Sequence, residues 1–407
     1  MKINRKVMAF AVGAALAPCA HAQVKSPAGT DWEFYGKFYP ELTYAKGDGA
    51  TATGTTVSTI AGTPNGTNAI VHRWEMQISN TYIGFRGSKD MGRGMKGIFQ
   101  LESQAAIDES GGQLATRDSF VGLASGYGTV RLGFMDTPFK KAGDVLGFLG
   151  VSSGNFVSTS NVLRKTGFGT SSTSSFHLRR GNAVDYASPV VAGFQSAVQY
   201  SIGNPTEAGI TTTPKRNPHV ASWTVKWEQG PFYAAFLQEA HFDLFGGSNN
   251  APAARSNAAD PGVNSKDLAN QVALVYKIGG HSIEADYITK QYKEENVTVN
   301  GRFQEYKNNA YMLVLESRWS ASWRTALHYI KSTAGDCTLL NTACTTDGLD
   351  GSQISLGVAY FMDPSFYIFG LYSKLTNGKS ARYNNSSQTP APGEDITQGS
   401  VGIAYNF

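Results

Sequence analysis

The segment Trp32–Tyr39, with the sequence WEFYGKFY, alternates large apolar side chains with charged or hydroxyl-bearing ones. Trp32, Phe34 and Phe38 share one parity, and Lys37 falls on the other. Successive side chains of a β-strand point to opposite faces, so this alternation predicts a strand with one apolar and one polar face. The fold class therefore depends on how often the pattern returns along the chain.

The same alternation recurs from Arg73 to Ile78 and then changes parity near Asn80-Thr81, which a β-bulge explains. Together with these two segments, further segments bring the predicted strands to sixteen: about 95–107, 116–125, 128–136, 177–187, 193–202, 219–228, 231–243, 268–277, 281–292, 307–317, 322–332, 352–361, 365–375 and 396–407.

The connections between these strands alternate between tight turns and long polar loops. Asp90–Gly94 and Ser125–Gly128 are tight turns, whereas 46–70 and 137–176 are long loops. Antiparallel strands then place all tight turns at one end. Strands of about ten residues, an even strand count and this loop asymmetry are typical of outer-membrane barrels. We therefore predict an all-β fold, a 16-stranded antiparallel transmembrane β-barrel; a soluble sandwich or propeller does not require strict loop alternation.

The end of the chain predicts how the barrel closes. Val401, Ile403, Tyr405 and Phe407 alternate with small or polar residues. A free edge strand with such an apolar face favours pairing with another strand. The first strand, 32–44, is the partner that closes the ring.

The segment Thr137–Phe176 breaks the strand pattern for forty residues and contains six glycines and eight serines. Loops of this length inside a compact domain are uncommon and usually functional or disordered. The segment also contains an apolar piece, Val145–Leu149. Its charge is unbalanced, because one acid, Asp144, accompanies the four cations Lys140, Lys141, Arg164 and Lys165.

Residues 1–22 have a basic start, an apolar run and the small-residue end Ala20-His21-Ala22, which predicts a cleaved signal peptide. An uncleaved membrane helix and a lipoprotein site at Cys19 fit less well, because the run is short and Pro18 precedes the cysteine. Residues 23–407 then form the barrel. Without the three leader cations, 32 basic residues face 31 acidic ones, which does not favour nucleic-acid binding.

Cys337 and Cys344 are the cysteines that remain after the leader, and they bracket a short polar segment. In an exported protein this spacing predicts a disulfide that stiffens a loop tip. A metal site is the alternative, but no His or further Cys lies close enough in sequence to complete one. No cofactor is expected.

The sequence resembles the general porins of Gram-negative outer membranes, in the variety typical of β-proteobacteria. The resemblance spans the chain after the leader and rests on Ile83–Gly92, Gly97–Glu102, Arg117–Leu123, Gly128–Gly133, Arg179–Asn182, Tyr186–Pro189 and Phe407. It implies a sixteen-stranded barrel, usually a homotrimer, whose third external loop folds inward and narrows the pore. Thr137–Phe176 lies at the position of that loop.

The resemblance also implies inward-facing basic residues at the constriction, namely Lys37, Arg86, Arg117 and Arg179. Phe134 stands where the family often has Arg, so one wall charge is absent. Glu102 is expected to face the lumen among acids that offset these cations, and Asp144 is expected to lie at the constriction. If Asp144 faces Arg117 or Arg179, replacing it with Asn should increase anion preference.

We therefore expect an outer-membrane diffusion channel for small hydrophilic solutes and ions, with a preference for anions, in contact with outer-membrane lipid. The alternative is a substrate-specific channel for an organic anion or phosphate, with its binding site at the constriction loop. A plugged structural barrel or adhesin is a third reading. A further alternative is that the wall cations are simply solvated residues of the lumen, offset by nearby acids, and give the channel no ion selectivity. None of the histidines lies in a Gly-x-Ser-x-Gly-type motif, so we expect no enzyme.

Overall fold

The computed structural model describes residues 30–108, 112–148, 156–203 and 216–407. The expected signal peptide, residues 1–22, lies outside the described residues. No helix in the described ranges is both long and apolar enough to cross a membrane.

Nineteen strand segments make up one antiparallel sheet. They are β1 (Thr30–Phe38), β2 (Glu41–Asp48), β3 (Arg73–Gln77), β4 (Tyr82–Gly92), β5 (Met95–Gln104), β6 (Ser119–Ser125), β7 (Gly128–Asp136), β8 (Arg179–Ala187), β9 (Phe194–Ser201), β10 (His219–Gln229), β11 (Phe232–Phe242), β12 (Asn264–Ile278), β13 (His281–Glu295), β14 (Phe303–Arg318), β15 (Trp323–Ser332), β16 (Asp336–Leu339), β17 (Gly351–Phe361), β18 (Phe366–Asn377) and β19 (Asp395–Asn406).

These segments form sixteen wall strands. β1 and β2 are one strand interrupted at Tyr39-Pro40, where proline has no backbone N–H to donate. β3 and β4 are a second strand, interrupted at 78–81, near the predicted bulge. β16 is a short addition that pairs with β14 at the end of the long-loop connection. The predicted 16-stranded antiparallel barrel is confirmed.

The ring closes between the two ends of the chain, as predicted. β1 pairs with β19 through Lys37 opposite Asn406 and Phe38 opposite Tyr405. The N–H of Gly36 donates to the carbonyl of Phe407 at 3.0 Å, and the N–H of Phe407 donates back at 3.1 Å. Closure leaves no unpaired edge, which is how a sheet satisfies its backbone in lipid.

The two faces of the wall have opposite chemistry. Phe34, Trp74 and Val401 are exposed on the outside, and Thr43 and Gln398 are buried on the inside. The apolar exterior suits the hydrocarbon of a bilayer, and the polar interior suits a water-filled channel. The large apolar residues of Trp32–Tyr39 therefore face outward and its polar residues face inward, as the alternation in the sequence predicts.

Turn chemistry separates the two ends of the barrel. Arg93 and Gly94, which join β4 to β5, have φ values of 55° and 74°. Two successive residues at positive φ make the tight hairpin turn that matches strand twist. The long loops emerge at the other end, so the short-turn end is the periplasmic one by comparison with known barrels.

Strand boundaries differ from prediction in two places. The strand predicted at 116–125 begins at Ser119, so Arg117 lies in the preceding loop. In contrast, β12, β13 and β14 extend several residues farther toward the long-loop end than predicted. The extensions of β12 and β13 are polar on both faces, which resembles loop composition, and only pairing between the two strands identifies them. The extension of β14 contains the buried Phe303 and Tyr306 and pairs with β13 and β16.

Candidate functional site: the constriction loop and the facing wall

The segment between β7 and β8, residues 137–178, is the constriction loop. It begins with a short helix, α1 (Pro138–Ala142), whose N-terminus is capped by the Thr137 side chain; Thr137 Oγ1 accepts from Lys140 N at 3.3 Å. Proline at the first helical position suits this start because its missing N–H has no helical partner to lose. The described parts of the loop, 137–148 and 156–178, lie inside the barrel, where inward side chains of the wall hold them.

Carboxylates of the wall bind amides of the loop. Glu284 on β13 accepts from Leu146 N at 2.8 Å and from Val145 N at 3.3 Å. Glu316 on β14 accepts from Phe148 N at 2.7 Å. A buried N–H without a partner is costly, so these carboxylates fix the height at which the loop crosses the barrel.

Side-chain donors of the wall bind carbonyls of the loop. Lys290 Nζ donates to the carbonyls of Leu163 at 2.8 Å and Lys165 at 3.0 Å. Three further bonds have the same character: Tyr292 to Ser174 O at 2.6 Å, Tyr233 to Ala142 O at 2.6 Å and Gln353 to Phe156 O at 3.0 Å. The loop is therefore attached along β11–β17, and the predicted inward-folded third external loop is confirmed.

The apolar piece of the loop docks on an aromatic surface. The Phe148 ring lies 6.2 Å from that of Phe361 and 6.4 Å from that of Tyr367, centroid to centroid. Phe156 and Val157 are buried in the same cluster. Burial of such side chains stabilises by about 2 kcal/mol each. This packing explains why a glycine- and serine-rich loop contains apolar residues.

Asp144 is enclosed by the loop itself. Its carboxylate lies 3.2 Å from Arg164 Nη1 and 2.7 Å from His177 Nε2, and it accepts from Thr159 Oγ1 at 3.2 Å. Burial opposes ionisation, but Arg164 and His177 hold the pKa of Asp144 below its ordinary value. Asp144 therefore closes the loop on itself, through an ion pair with Arg164 and a hydrogen bond with His177, and it forms no ion pair with Arg117 or Arg179.

Two aspartates at strand ends join both ends of the loop. Asp118 lies 2.7 Å from Arg179 Nε and 3.2 Å from Lys141 Nζ. Asp136 lies 3.0 Å from Arg179 Nη2 and 2.8 Å from Lys140 Nζ. Arg179 is thus shared by two carboxylates, and the cations of α1 are neutralised in part.

The wall that faces the loop carries its charges in a more open setting. Arg86 on β4 pairs with Glu33 on β1, and both side chains are about half exposed. Lys37 lies over the ring of Tyr39, with Nζ 4.3 Å from its centroid. Arg86 and Glu33 are therefore accessible to water and ions in the lumen, whereas Lys37 is only partly exposed.

A second pair on this wall links three elements. Glu102 on β5 lies 2.5 Å from Arg117 Nε and accepts from the Tyr35 hydroxyl at 2.9 Å. The Arg117 guanidinium also lies 4.8 Å from the Tyr82 ring centroid. Phe134, at the position where the sequence lacks an arginine, lies 6.0 Å from the Arg179 guanidinium. Position 134 therefore contributes an aromatic ring that contacts the Arg179 guanidinium, where an arginine would contribute a positive charge of its own.

Sequence reasoning placed the candidate residues on inward positions but missed their partners. The sequence could have identified Asp118 and Asp136 as partners, because each is an acid beside a strand end that borders the loop. The anchors Glu284, Glu316 and Lys290 had no such signal: they lie more than 120 residues from the atoms they bind.

A cavity and a disulfide complete the geometry. The cavity, about 520 Å³, lies between α1 and the wall, and its lining includes three cations and three carboxylates: Arg131, Lys141, Lys226, Asp144, Asp185 and Glu228. Cys337 and Cys344 are joined by a disulfide, with Cα atoms 5.6 Å apart. Among the described residues, no three His, Cys, Asp or Glu side chains are grouped to hold a metal ion.

Comparison with known proteins adds family-level information. The family model described as Gram-negative porin matches residues 9–407. The major outer membrane protein P.IB of Neisseria gonorrhoeae is 37% identical over 119 residues, which is 29% of this chain and 31% of the relative. A Neisseria lactamica protein of the same name is 38% identical over 119 residues, 29% of this chain and 32% of the relative. The matched region therefore spans about a third of these relatives.

Solved structures with a similar fold include an anion-selective porin from Comamonas acidovorans, with a TM-score of 0.66 and 17% identity over 93% of this chain and all of that one. A trimer form of OmpT from Vibrio cholerae has a TM-score of 0.61 and 14% identity over 93% of this chain and 100% of that one. At these identities the likeness concerns the fold.

Proposed function

Because the chain belongs to the Gram-negative porin family, we propose that it forms an outer-membrane channel through which small hydrophilic solutes and ions diffuse, with a preference for anions. Residues 1–22 act as its export signal. The channel is the lumen left between the constriction loop and the wall formed by β1–β8. Its pore-lining residues include Lys37, Arg86, Glu102, Arg117 and Arg179, with Asp144 in the loop that bounds them.

The charge balance around the loop supports anion preference. In the loop and the open wall beside it, leaving aside the anchors Glu284, Glu316 and Lys290 of the opposite wall, six cations stand against four carboxylates. The cations are Arg117, Lys140, Lys141, Arg164, Lys165 and Arg179, and the carboxylates are Glu102, Asp118, Asp136 and Asp144. Low-dielectric walls focus the field of an uncompensated charge and raise the local concentration of the opposite ion.

Reversal potentials test this proposal. The purified protein is inserted into planar bilayers of neutral lipid under a KCl gradient. An anion-preferring pore gives a reversal potential whose sign follows chloride. A reversal potential that follows potassium would contradict the anion preference, and a protein that inserts without conducting would contradict the channel.

A substrate-specific channel is the second candidate, and the cavity beside α1 is the observation that favours it. Its volume of about 520 Å³ would hold a small organic anion, and Lys226 on its wall makes no ion pair with any described residue. A conductance that saturates as one organic anion replaces chloride would support this candidate. A linear rise in conductance with every anion would favour general diffusion.

We propose a homotrimer as the assembled form. A solved neighbour is a trimer, and the outer face around β18, β19 and β2 carries an apolar groove of about 610 Å³. Native mass spectrometry in detergent tests the assembly, and a monomer mass would contradict it.

A further inference from the structure

Two arginines lie directly opposite each other at the short-turn end of the barrel. Arg318 ends β14 and Arg324 lies near the start of β15, and the strand register pairs them. They share the inward parity of Glu316, whose carboxylate reaches the constriction loop. Side chains paired across antiparallel strands have Cβ atoms about 5 Å apart, and like charges in that position destabilise the sheet.

No carboxylate among the described residues forms an ion pair with either arginine. Arg324 Nε is buried and lacks a hydrogen-bond partner. The nearby Glu316 is engaged with Phe148 N at 2.7 Å. Glu316 lines the same cavity but makes no ion-pair contact with either arginine, so an added anion between the two guanidinium groups would relieve both their repulsion and the missing hydrogen bond.

The pair borders a built cavity of about 180 Å³. Its lining includes Phe148, Ser282, Glu316, Arg318 and Arg324. The Arg324 guanidinium is fixed in place by rings, since it lies 4.1 Å from the centroid of Phe361 and 5.9 Å from that of Phe148. Arg318 is exposed to the lumen. The Arg324 side chain is therefore held in position before a ligand binds, whereas the exposed Arg318 side chain can move toward a bound ligand.

We propose that Arg318 and Arg324 form a binding site for a small oxyanion, such as phosphate or a carboxylate, at the short-turn exit of the lumen. Planar guanidinium groups present parallel N–H donors that match the oxygens of these anions. The hydroxyl of Ser282 is a further donor on the cavity wall. The site rests on the proposed channel for its supply of anions and lies beyond the constriction, so it would hold anions that have already passed the loop.

Inorganic phosphate is the probe for this site, and Arg318→Gln is the main variant because the Arg318 side chain is exposed. Binding is measured by ³¹P line broadening on the detergent-solubilised full-length protein, which does not require conduction. We expect the half-saturating phosphate concentration to rise about tenfold in Arg318→Gln, the loss of one charge-assisted contact. Arg324→Lys keeps the positive charge but removes the planar guanidinium with its parallel N–H donors, so it should weaken phosphate binding less than Arg318→Gln does. Arg93→Gln, an exposed arginine in a turn at the same end, is the matched control.

Single-channel recordings in KCl give the second readout. Phosphate added to the wild type at constant ionic strength should reduce the current saturably, and Arg318→Gln should require more phosphate for the same block. Equal phosphate binding by wild type, Arg318→Gln and Arg324→Lys would overturn the site even if the channel prefers anions. Phosphate binding that depends on Arg318 in a protein that does not conduct would instead keep the site and overturn the proposed channel.

Discussion

The wall built from β10–β17 and the wall built from β1–β8 both direct charged side chains into the barrel, yet their surroundings differ. On the first wall, Glu284 and Lys290 are buried beneath the constriction loop and bind its backbone. On the second, Arg86 and Glu33 are about half exposed to the lumen. The same residue types thus anchor a loop on one side and act on passing ions on the other.

The difference has a physical cause in desolvation. A charge beneath the loop has lost its water, so its hydrogen bonds to the loop must replace that solvation. A charge on the open wall keeps its water, and its ion pair adds little to stability. Substitutions on the loop-bearing wall should therefore change loop order, and substitutions on the open wall should change selectivity.

The largest effect is expected for Lys290→Met. Methionine fills similar space but leaves the carbonyls of Leu163 and Lys165 unsatisfied, at about 1–3 kcal/mol for each buried group. We expect a folded barrel with an unsteady loop, seen as increased open-channel noise and altered conductance. Lys331→Met, on the outward face of the same wall, is the control; equal noise in both variants would show that the contacts of Lys290 with the loop do not steady it.

Asp144→Asn is expected to have the next largest effect. It leaves Arg164, which is fully buried, without its carboxylate, and breaking a buried pair costs about 3–5 kcal/mol. The loop should loosen, and its loss of a negative charge should move the reversal potential further toward chloride. Asp90→Asn, at the exposed short-turn end of β4, is the comparison. An unchanged reversal potential in Asp144→Asn would place the constriction elsewhere.

Acidic pH should weaken loop docking through His177. Burial is the main cause that lowers the pKa of His177 from 6.5 to about 4, with nearby Lys140 and Arg164 adding to it and Asp144 opposing it. A released histidine takes up a proton that the docked one does not, so docking is fully supported above pH 6.5 and weakens as pH falls toward 4, by about 3 kcal/mol at most. Channel noise should therefore increase between pH 7 and pH 4.5.

His177→Gln separates this effect from other titrations. Glutamine keeps a donor for Asp144 but does not titrate, so the increase in noise over this pH range should be much smaller. An identical pH profile in wild type and His177→Gln would show that other groups control loop docking.

The smallest effect is expected for Arg117→Gln on the open wall. The variant removes one lumen cation and frees Glu102, so the anion-to-cation permeability ratio should fall by roughly twofold, more at low salt because screening is weaker. Conductance noise should stay at the wild-type level. An increase in noise comparable to that of Lys290→Met would mean that the open wall also holds the loop.

Local alternation allowed much of the barrel to be predicted. Phe34 and Lys37 lie on the faces that their parity indicated, and the terminal strand closes on the first one. Alternation did not predict the strand bounds in segments that do not alternate apolar and polar residues. The polar extensions of β12 and β13 carry no apolar face, and Arg117 lies before a strand rather than in it.

The site was predictable only as a set of inward positions. Parity shows that Glu284, Lys290 and Arg86 point inward, but it contains no information about which of them the loop covers. Asp144 was expected near wall cations and instead pairs with Arg164 and His177. These contacts connect residues far apart in sequence, and each depends on where the loop crosses the barrel.

The amino-acid sequence by itself determined that this chain forms a sixteen-stranded barrel interrupted by one forty-residue loop, because strand parity and turn chemistry act between neighbouring residues. That this loop folds inward was expected only from the resemblance to porins. Only the tertiary structure decided which wall the loop covers, and so which inward charges remain for ions. That choice depends on desolvation, which is a property of the surroundings: Lys290 and Arg86 have similar charges, and the loop over one of them gives the two residues different roles.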